Sequence, residues 1–305
     1  METVETNNKY HLIQDPKYGF LRINPIPTEA EVERFYLDEF YSGEYSKFND
    51  SDLSVQQKDR DFFHLRWQFI HDQCSDILGS LLGRKLLDIG CGYCQALLYF
   101  RDRGLSVHGI EPSREGYEYG LSQGIKMVQA GIEGDDIKTF DERFDIITLL
   151  NVLEHLRNPA EALKRIRSDY LTKDGVLVID VPNEFNDFQT TALSEHSLKE
   201  WWVCPPNHLN YFSPTSLKAL LQSCGYQVVH MEASFPLEMF LLWGDVYVGN
   251  GVLGAECHQK RVRFEQVLVK HGKLDKLRAF YAALADLELG RQITVYAVPI
   301  ENSEV

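Results

Sequence analysis

The fold of this chain is decided by residues 86–112, LLDIGCGYCQALLYFRDRGLSVHGIEP. An apolar run ends at Asp88, Gly90 and Gly92 follow, and a second apolar run ends at Glu111 after an amphipathic segment. This order predicts a strand, a tight turn, a helix and a second strand that ends in a carboxylate. Glycine permits backbone conformations and a close approach that a Cβ would block, so we expect a ligand to lie against the turn.

The acid at the end of the second strand indicates what kind of ligand binds at the turn. A carboxylate at the tip of the neighbouring strand can accept hydrogen bonds from a ribose diol, so Glu111 predicts an adenosine-containing cofactor. A dinucleotide site also requires a third glycine, but Gln95 occupies that position. Asp88 would repel a diphosphate and suits the aminopropyl end of S-adenosylmethionine. A nicotinamide-dependent enzyme is therefore disfavoured.

The DIGCG turn and the acid-ended second strand resemble the class I S-adenosylmethionine-dependent methyltransferases. The block FDIITLLNVLEHLRNP at 144–159 resembles a second motif of that family, and Cys94 departs from it where a third glycine is usual. The resemblance implies S-adenosyl-L-methionine as cofactor and S-adenosyl-L-homocysteine as product. Together with the turn, the resemblance implies the following cofactor-binding residues: Asp88, Gly90, Cys91, Gly92, Glu111, Pro112, Gly131, Ile132, Leu150 and Asn151.

Alternating strand and helix patterns continue through the middle of the chain. They predict an α/β fold, a doubly wound, mostly parallel sheet with helices on both faces. The resemblance adds a Rossmann-like sheet of seven strands with an antiparallel last strand. Strands are expected at 85–90, 106–111, 125–129, 143–150, 175–181, 226–233 and 291–300, and helices at 62–82, 94–103, 113–122, 159–170 and 214–223.

Further segments flank this core. We expect an N-terminal helical extension or cap at 1–82, an S-adenosylmethionine-binding core at 83–234, a helical insertion at 235–290 and a last strand with a tail at 291–305. The insertion is interpreted as a lid, a homodimer surface or both, with simple packing on the core as the alternative. N-terminal aromatic residues are candidates to cover the cofactor: Phe35, Tyr36, Phe40, Tyr41 and Tyr45.

Two histidines are candidates for a catalytic base. An imidazole titrates near neutrality and can take a proton from a poorly ionised hydroxyl. His155 follows the fourth core strand, where a hydrogen-bonded structural role is an equal alternative. His208 lies in the polar, aromatic stretch WWVCPPNHLNYFSP, which is predicted to cover the mouth of the cleft.

No metal ion is predicted. Some relatives bind one on a Glu-x-x-Glu-His pattern, but Asn151 replaces the first glutamate and leaves too few carboxylates for a hard divalent cation. Cys91 and Cys94 form a C-x-x-C pair on the cofactor turn without a second pair, which disfavours zinc or redox use.

Composition restricts the partners. A formal net charge of −14 with no basic patch disfavours nucleic acid as the methyl acceptor. The sequence has no apolar run long enough to span a membrane and no signal-peptide pattern. Its six cysteines therefore read as free thiols in a reducing, cytoplasmic compartment.

The leading hypothesis is an enzyme that methylates a small acceptor. By resemblance to small-molecule methyltransferases, we expect O-methylation of a sugar, a nucleotide sugar or a similar metabolite. N- or C-methylation of a small molecule and a non-catalytic S-adenosylmethionine-binding protein are the alternatives, because a fold and a cofactor site do not identify an acceptor.

Overall fold

The computed structural model describes residues 5–6, 9–28, 30–32, 53–134 and 140–300. Its strands are β1 (Glu5–Thr6), β2 (Tyr10–Gln14), β3 (Leu21–Asn24), β4 (Lys85–Ile89), β5 (Ser106–Ile110), β6 (Lys126–Val128), β7 (Phe144–Leu150), β8 (Leu171–Pro182), β9 (Asn210–Tyr211), β10 (Tyr226–Ala233) and β11 (Gln292–Pro299). Its α-helices are α1 (Leu53–Lys58), α2 (Arg60–Leu78), α3 (Gln95–Arg101), α4 (Arg114–Ser122), α5 (Pro159–Arg165), α6 (Asp187–Glu195), α7 (Pro214–Ser223), α8 (Glu238–Leu242), α9 (Gly251–Lys270) and α10 (Leu274–Asp286).

The larger sheet has the strand order β10-β11-β8-β7-β4-β5-β6. Strands β5, β4 and β7 run parallel, as do β5 and β6, and the last strand is antiparallel. The predicted doubly wound, mostly parallel, seven-stranded sheet is confirmed. Every predicted core strand is present, although β8 begins at Leu171, four residues earlier than expected.

The sequence explains the central strands and the starts of the helices. In β4, Leu86 and Leu87 are consecutive and both fully buried, as expected for a strand covered on two faces. The Ser113 hydroxyl accepts a hydrogen bond from the Gly116 N–H at 3.2 Å and caps α4. Pro159 occupies the first turn of α5, where its missing N–H costs nothing.

A second, smaller sheet was not predicted. It has the order β1-β2-β3-β9, so the expected helical extension at 1–82 begins with strands instead. Register pairs such as Leu12 with Ile23 form a hairpin, and Leu21 pairs with Tyr211. The hairpin side chains Leu12 and Ile23 are buried with Trp202 and Tyr211 in a hydrophobic cluster.

Several element boundaries differ from expectation. Helix α2 ends at Gly79, which has a φ of 76°, rather than at Gly83. The helix expected over 159–170 is α-helical to Arg165 and closes with a π-helical turn at Ile166–Tyr170. Helix α6 was not predicted, and Asn186 caps it by accepting N–H bonds from Phe188 and Gln189.

The chain divides into two compact units of non-consecutive segments, whereas the sequence predicted consecutive domains. We name each unit after a strand that it contains. The β4 unit comprises 26–179, 221–229 and 296–305, and the β9 unit comprises 1–25, 180–220 and 230–295. The insertion expected at 235–290 is helical, with α8, α9 and α10.

The remaining observations concern the N-terminal segment, membrane-spanning helices and the cysteines. The Thr28 hydroxyl accepts from the Glu31 N–H at 3.3 Å, and the Glu31 carboxylate accepts from the Thr28 N–H at 2.9 Å, which is the reciprocal pattern of a capping box. The candidate covering aromatics between Phe35 and Tyr45 lie outside the described residues. No helix in the described part of the chain is long and apolar enough to cross a membrane. All six cysteines lie in the described residues, and none of them forms a disulfide bond.

One polar clamp ties the starts of β4 and β7 together. Arg84 donates to Asp145 Oδ1 at 2.9 Å and to the Leu78 carbonyl at 3.0 Å, while the Lys85 N–H donates to Asp145 Oδ2 at 2.9 Å. The Asp145 carboxylate therefore joins two parallel strands through two charge-assisted bonds.

Asp145→Ala is expected to lower the free energy of unfolding by about 1–3 kcal/mol, because Arg84 and the Lys85 N–H lose their acceptor. Chemical denaturation would measure the change. Glu118→Ala is the matched control, since Glu118 pairs with Arg114 on the exposed surface of α4 and its loss should change stability little. Equal effects of the two substitutions would contradict the role given to the clamp.

Candidate cofactor site

The strand order reverses between β4 and β7, because the chain passes from β4 to β5 and β6 on one side before returning to β7 on the other. Ligands of open α/β sheets bind beyond the carboxyl ends of the strands at such a point. Asp88 and Thr148 face each other in register at this edge. The Thr148 hydroxyl donates to Asp88 Oδ1 at 2.6 Å and fixes the carboxyl group.

The turn after β4 depends on its two glycines. Gly90 has a φ of 72°, and a Cβ there would lie 2.6 Å from a methyl group of Val152. Gly92 has a φ of 50°, and no atom of the described residues lies within 4 Å of where its Cβ would be. The turn therefore has an open face at Gly92, against which a ligand can lie.

Glu111 is bound to that turn. Its Oε2 accepts from the Gly92 N–H at 2.8 Å, and its Oε1 accepts from the Ser113 N–H at 2.9 Å. The side chain is 3 % exposed. A carboxylate has about four lone-pair sites, so two backbone bonds leave each oxygen able to accept another bond. The group is thus oriented by the backbone and still able to hold a diol.

The Asp88 carboxyl has an unusual pKa. Burial raises its pKa above the ordinary 3.8, the Thr148 hydrogen bond opposes the shift and the charge of Glu111 adds to it, so that the pKa is about 7. A positively charged group placed beside Asp88 would favour the carboxylate form. The acid is therefore suited to a cationic ligand group.

The end of β7 supplies the next two predicted residues. Asn151 has a φ of 55°, in the left-handed region that a non-glycine residue adopts at a cost. Its side chain is exposed, whereas Leu150 is partly buried against the core. Both residues lie at the carboxyl end of β7, at the same sheet edge as Asp88.

The loop after β6 carries Gly131 and Ile132. Gly131 is exposed and Ile132 is buried, and Arg165 donates to the Gly134 carbonyl at 2.6 Å to hold the loop. Glu133 is exposed and accepts from the Asn158 N–H at 2.6 Å at the start of α5. The remaining predicted residue, Pro112, is exposed directly after Glu111.

Sequence reasoning missed the glycines that accommodate Cys91 and Cys94. The two thiols lie 3.6 Å apart, and Cys94 adopts a φ of 55° in place of the usual glycine. A Cβ on Gly120 would lie 2.9 Å from the Cys94 Sγ, and a Cβ on Gly109 would lie 2.8 Å from the Cys91 Sγ. The available signal for Gly120 was that it lies one turn after another glycine, Gly116, in the same predicted helix.

The two candidate bases each lie near a buried glutamate. In the β4 unit, His155 Nε2 is 3.7 Å from Glu154 Oε1, and the Glu154 side chain is 2 % exposed. In the β9 unit, His208 Nδ1 is 4.0 Å from Glu184 Oε1. Neither glutamate was among the predicted site residues. Glu184 follows β8 in the motif VPNEFNDFQ, so its position at a strand end was its only signal.

A family model described as a methyltransferase domain matches residues 62–231, which is more than half of the chain. This chain belongs to the methyltransferase-domain family. The family uses S-adenosylmethionine, so the class I resemblance and the cofactor prediction are confirmed. The methyltransferase domain of this chain fits that cofactor, since it has a glycine turn with an open face, a carboxylate able to hold a diol and an acid suited to a cation.

Curated relatives match parts of the chain. A probable (S)-tetrahydroprotoberberine N-methyltransferase 2 from Papaver bracteatum is 29 % identical over 143 residues, covering 44 % of this chain and 39 % of that protein. A ubiquinone biosynthesis O-methyltransferase from Alkalilimnicola ehrlichii is 33 % identical over 97 residues, covering 30 % and 39 %. The chain thus spans about two fifths of the length of these two relatives.

A solved structure agrees with the fold over most of the chain. The plantazolicin methyltransferase BpumL in complex with S-adenosylhomocysteine has a TM-score of 0.53 and 16 % identity, and the match covers 90 % of this chain and 99 % of that chain. At this identity the likeness shows the fold alone.

Gly116→Ala is expected to weaken binding of S-adenosylhomocysteine. A Cβ at Gly116 would lie 2.6 Å from the Gly92 carbonyl oxygen and 2.8 Å from Glu111 Cγ, so the turn or the acid must move. We expect at least a tenfold loss of affinity, about 1.4 kcal/mol, in calorimetric titration. Gly254→Ala in α9 is the control, because nothing lies within 4 Å of its Cβ position. Unchanged affinity in the Gly116 variant would contradict this account.

Binding of S-adenosylhomocysteine is expected to release a proton near neutral pH, so its affinity should rise from about pH 5 to about pH 8. The pKa of Asp88 is about 7, and the ligand amino group favours the carboxylate. Without ligand, the same shift makes the free energy of unfolding fall as the pH rises from about 4 to about 7.

Calorimetric titration in buffers of different ionisation enthalpy measures that proton. Asp88→Asn should abolish its release, whereas Asp145→Asn, at the opposite ends of the strands, should retain it. Proton uptake, or equal release by the Asp88 variant, would show that another group titrates.

Proposed function

We propose that this chain transfers the methyl group of S-adenosylmethionine to a hydroxyl of a small acceptor, such as a sugar, a nucleotide sugar or a similar metabolite. The observation that carries the proposal is the Gly92–Glu111 hydrogen bond at 2.8 Å, because it joins the glycine turn to the acid of the neighbouring strand. Family membership supports the same reaction class.

Six of the ten predicted cofactor residues are given a direct role in this proposal. Glu111 accepts from the ribose diol, and Asp88 faces the aminopropyl end. Ile132 and Gly131 border the adenine, and Leu150 and Asn151 border the methionine part. The cofactor, when bound, supplies an electrophilic methyl group on a sulfonium. The chain must then hold the acceptor atom about 3 Å from the methyl carbon on the axis of displacement.

A hydroxyl acceptor also needs a base, since it is poorly ionised near neutral pH. His208 and His155 are both proposed for this role, and each lies near a buried glutamate, Glu184 at 4.0 Å and Glu154 at 3.7 Å respectively. The relatives named O-methyltransferases support a hydroxyl acceptor. The relative named an N-methyltransferase supports an amine acceptor as the second candidate.

The reaction is tested with labelled S-adenosylmethionine and a panel of acceptors that contains nucleotide sugars, free sugars, phenols and amines. Transfer to hydroxylated acceptors supports the proposal. Transfer to amines alone would favour the second candidate. Binding of the cofactor without transfer to any class would favour a non-catalytic protein and overturn the proposal.

His208→Ala or His155→Ala, whichever removes the base, is expected to lower kcat by about 10²–10⁴-fold. The affinity for S-adenosylhomocysteine should stay within about twofold, because a base acts on the acceptor. His71→Ala is the matched control, since His71 lies 3.3 Å from Asp72 on α2 and has no proposed role. Full turnover in both variants would exclude histidine as the base.

A further inference from the structure

Within the β9 unit, four polar side chains from separate segments form a buried cluster. One follows β8, one lies in α6, one lies in α8 and one precedes β11. We name it the Glu184 cluster, and its members are Glu184, Gln189, Glu238 and Arg291.

The cluster is assembled around Glu238. Arg291 Nη1 lies 3.5 Å from Glu238 Oε1, and Gln189 Nε2 donates to the same oxygen at 3.4 Å. Gln189 and Glu238 are fully buried and Glu184 is 4 % exposed. The Arg291 side chain is 28 % exposed as a whole, but its Nη1 atom, which faces Glu238, is buried with the carboxyl groups.

Several atoms of the cluster have unused hydrogen-bonding capacity. Among the described residues, Glu184 Oε2, Glu238 Oε2 and Gln189 Oε1 have no hydrogen-bond partner although they are buried. Leaving such a group unsatisfied costs about 1–3 kcal/mol. All three atoms are acceptors in the ionised or amide form, so a ligand that satisfies them must bring several hydrogen-bond donors.

The charges in the cluster further restrict the class of ligand that it can bind. Burial raises the pKa of Glu184 to about 8, Arg291 opposes that shift and Glu238 adds to it. Arg291 lies 3.5 Å from Glu238 and already has a negative partner there, so a phosphate or carboxylate ligand would find no unpaired cation in the cluster. Neutral hydroxyl groups, which donate as well as accept, match the cluster without adding charge.

An aromatic ring follows Glu184 directly in the chain, and two further rings pack against it. Phe185, next to Glu184, has a φ of 61° and packs 5.3 Å from Trp202 and 5.9 Å from Tyr211, measured between ring centroids. The indole N–H of Trp202 also has no partner among the described residues. Polar groups beside aromatic rings suit a ligand that is hydroxylated at its edge and apolar on its face.

We propose that the Glu184 cluster is the recognition site for the hydroxyl groups of a neutral sugar ring in the methyl acceptor. The inference rests on the proposed function, which it deepens by naming the acceptor groups and the residues that bind them. The carboxyl groups of Glu184 and Glu238 bind ring hydroxyls, and Arg291 donates to a hydroxyl oxygen.

The test measures binding to the full chain saturated with S-adenosylhomocysteine, without any methyl transfer. The probes are UDP-galactose and GDP-mannose, with UDP and GDP as references, and galactose, glucosamine and glucuronate as free sugars. We expect at least one nucleotide sugar to bind more tightly than its nucleoside diphosphate. Glu184→Gln and Glu238→Gln should each reduce the extra affinity for the nucleotide sugar about tenfold or more.

Glu265→Gln is the matched control, because Glu265 is also a buried carboxylate of the β9 unit and accepts from the Tyr281 hydroxyl at 2.5 Å. Melting temperatures separate recognition from a structural role. A recognition site predicts that Glu184→Gln melts at or above the parent temperature, since it removes a buried acid. A structural ion network predicts a lower melting temperature and unchanged sugar binding, which would overturn the inference.

The remaining outcomes are equally decisive. Equal affinity for the nucleotide sugars and their nucleoside diphosphates would contradict recognition of a neutral sugar. Binding of glucuronate alone or of glucosamine alone would contradict it too. Failure of the methyl-transfer panel with sugar binding that depends on Glu184 and Glu238 would overturn the proposed function and leave the cluster a sugar site. Methyl transfer to phenols with no sugar binding would overturn only the cluster.

Discussion

The hydrogen bonds from the Gly92 and Ser113 N–H groups to Glu111 organise the cofactor end of the β4 unit. They connect the turn after β4 to the end of β5 and orient a buried carboxylate with lone pairs to spare. The same turn depends on Gly90, where φ is 72° and a Cβ would lie 2.6 Å from a Val152 methyl group. Because the contacts to Glu111 are made by backbone groups, the carboxylate is oriented before a ligand arrives, which reduces the ordering cost of binding.

The core of the fold could be predicted because it repeats a strong pattern. Continuous apolar runs such as the one at β4, each followed by an amphipathic segment, predict a parallel sheet from sequence alone, and β10 and α7 were predicted to the residue. The cofactor residues follow from the same rule, since the ends of parallel strands gather at one edge. A residue such as Asp88 could be placed there without coordinates.

The rest could not be predicted because its signals are either short or nonlocal. Strand β3 has four residues and is completed by β9, nearly 190 positions later, so its period-two pattern is too short to identify. Glu184 belongs to a cluster whose members come from four separate segments, and no spacing in the sequence brings Glu238 and Arg291 to it. Burial of a charged side chain is decided by tertiary packing.

The packing of Cys94 has an evolutionary consequence. Its thiol occupies space that a glycine would leave empty, and that space is bordered by Gly120 and the sulfur of Met127. The volumes at these positions are therefore interdependent, so substitution of one alone creates either a clash or a void. Homologues with glycine at the position of Cys94 should tolerate bulkier side chains opposite it, and mutagenesis libraries of this loop should randomise the interlocking positions jointly.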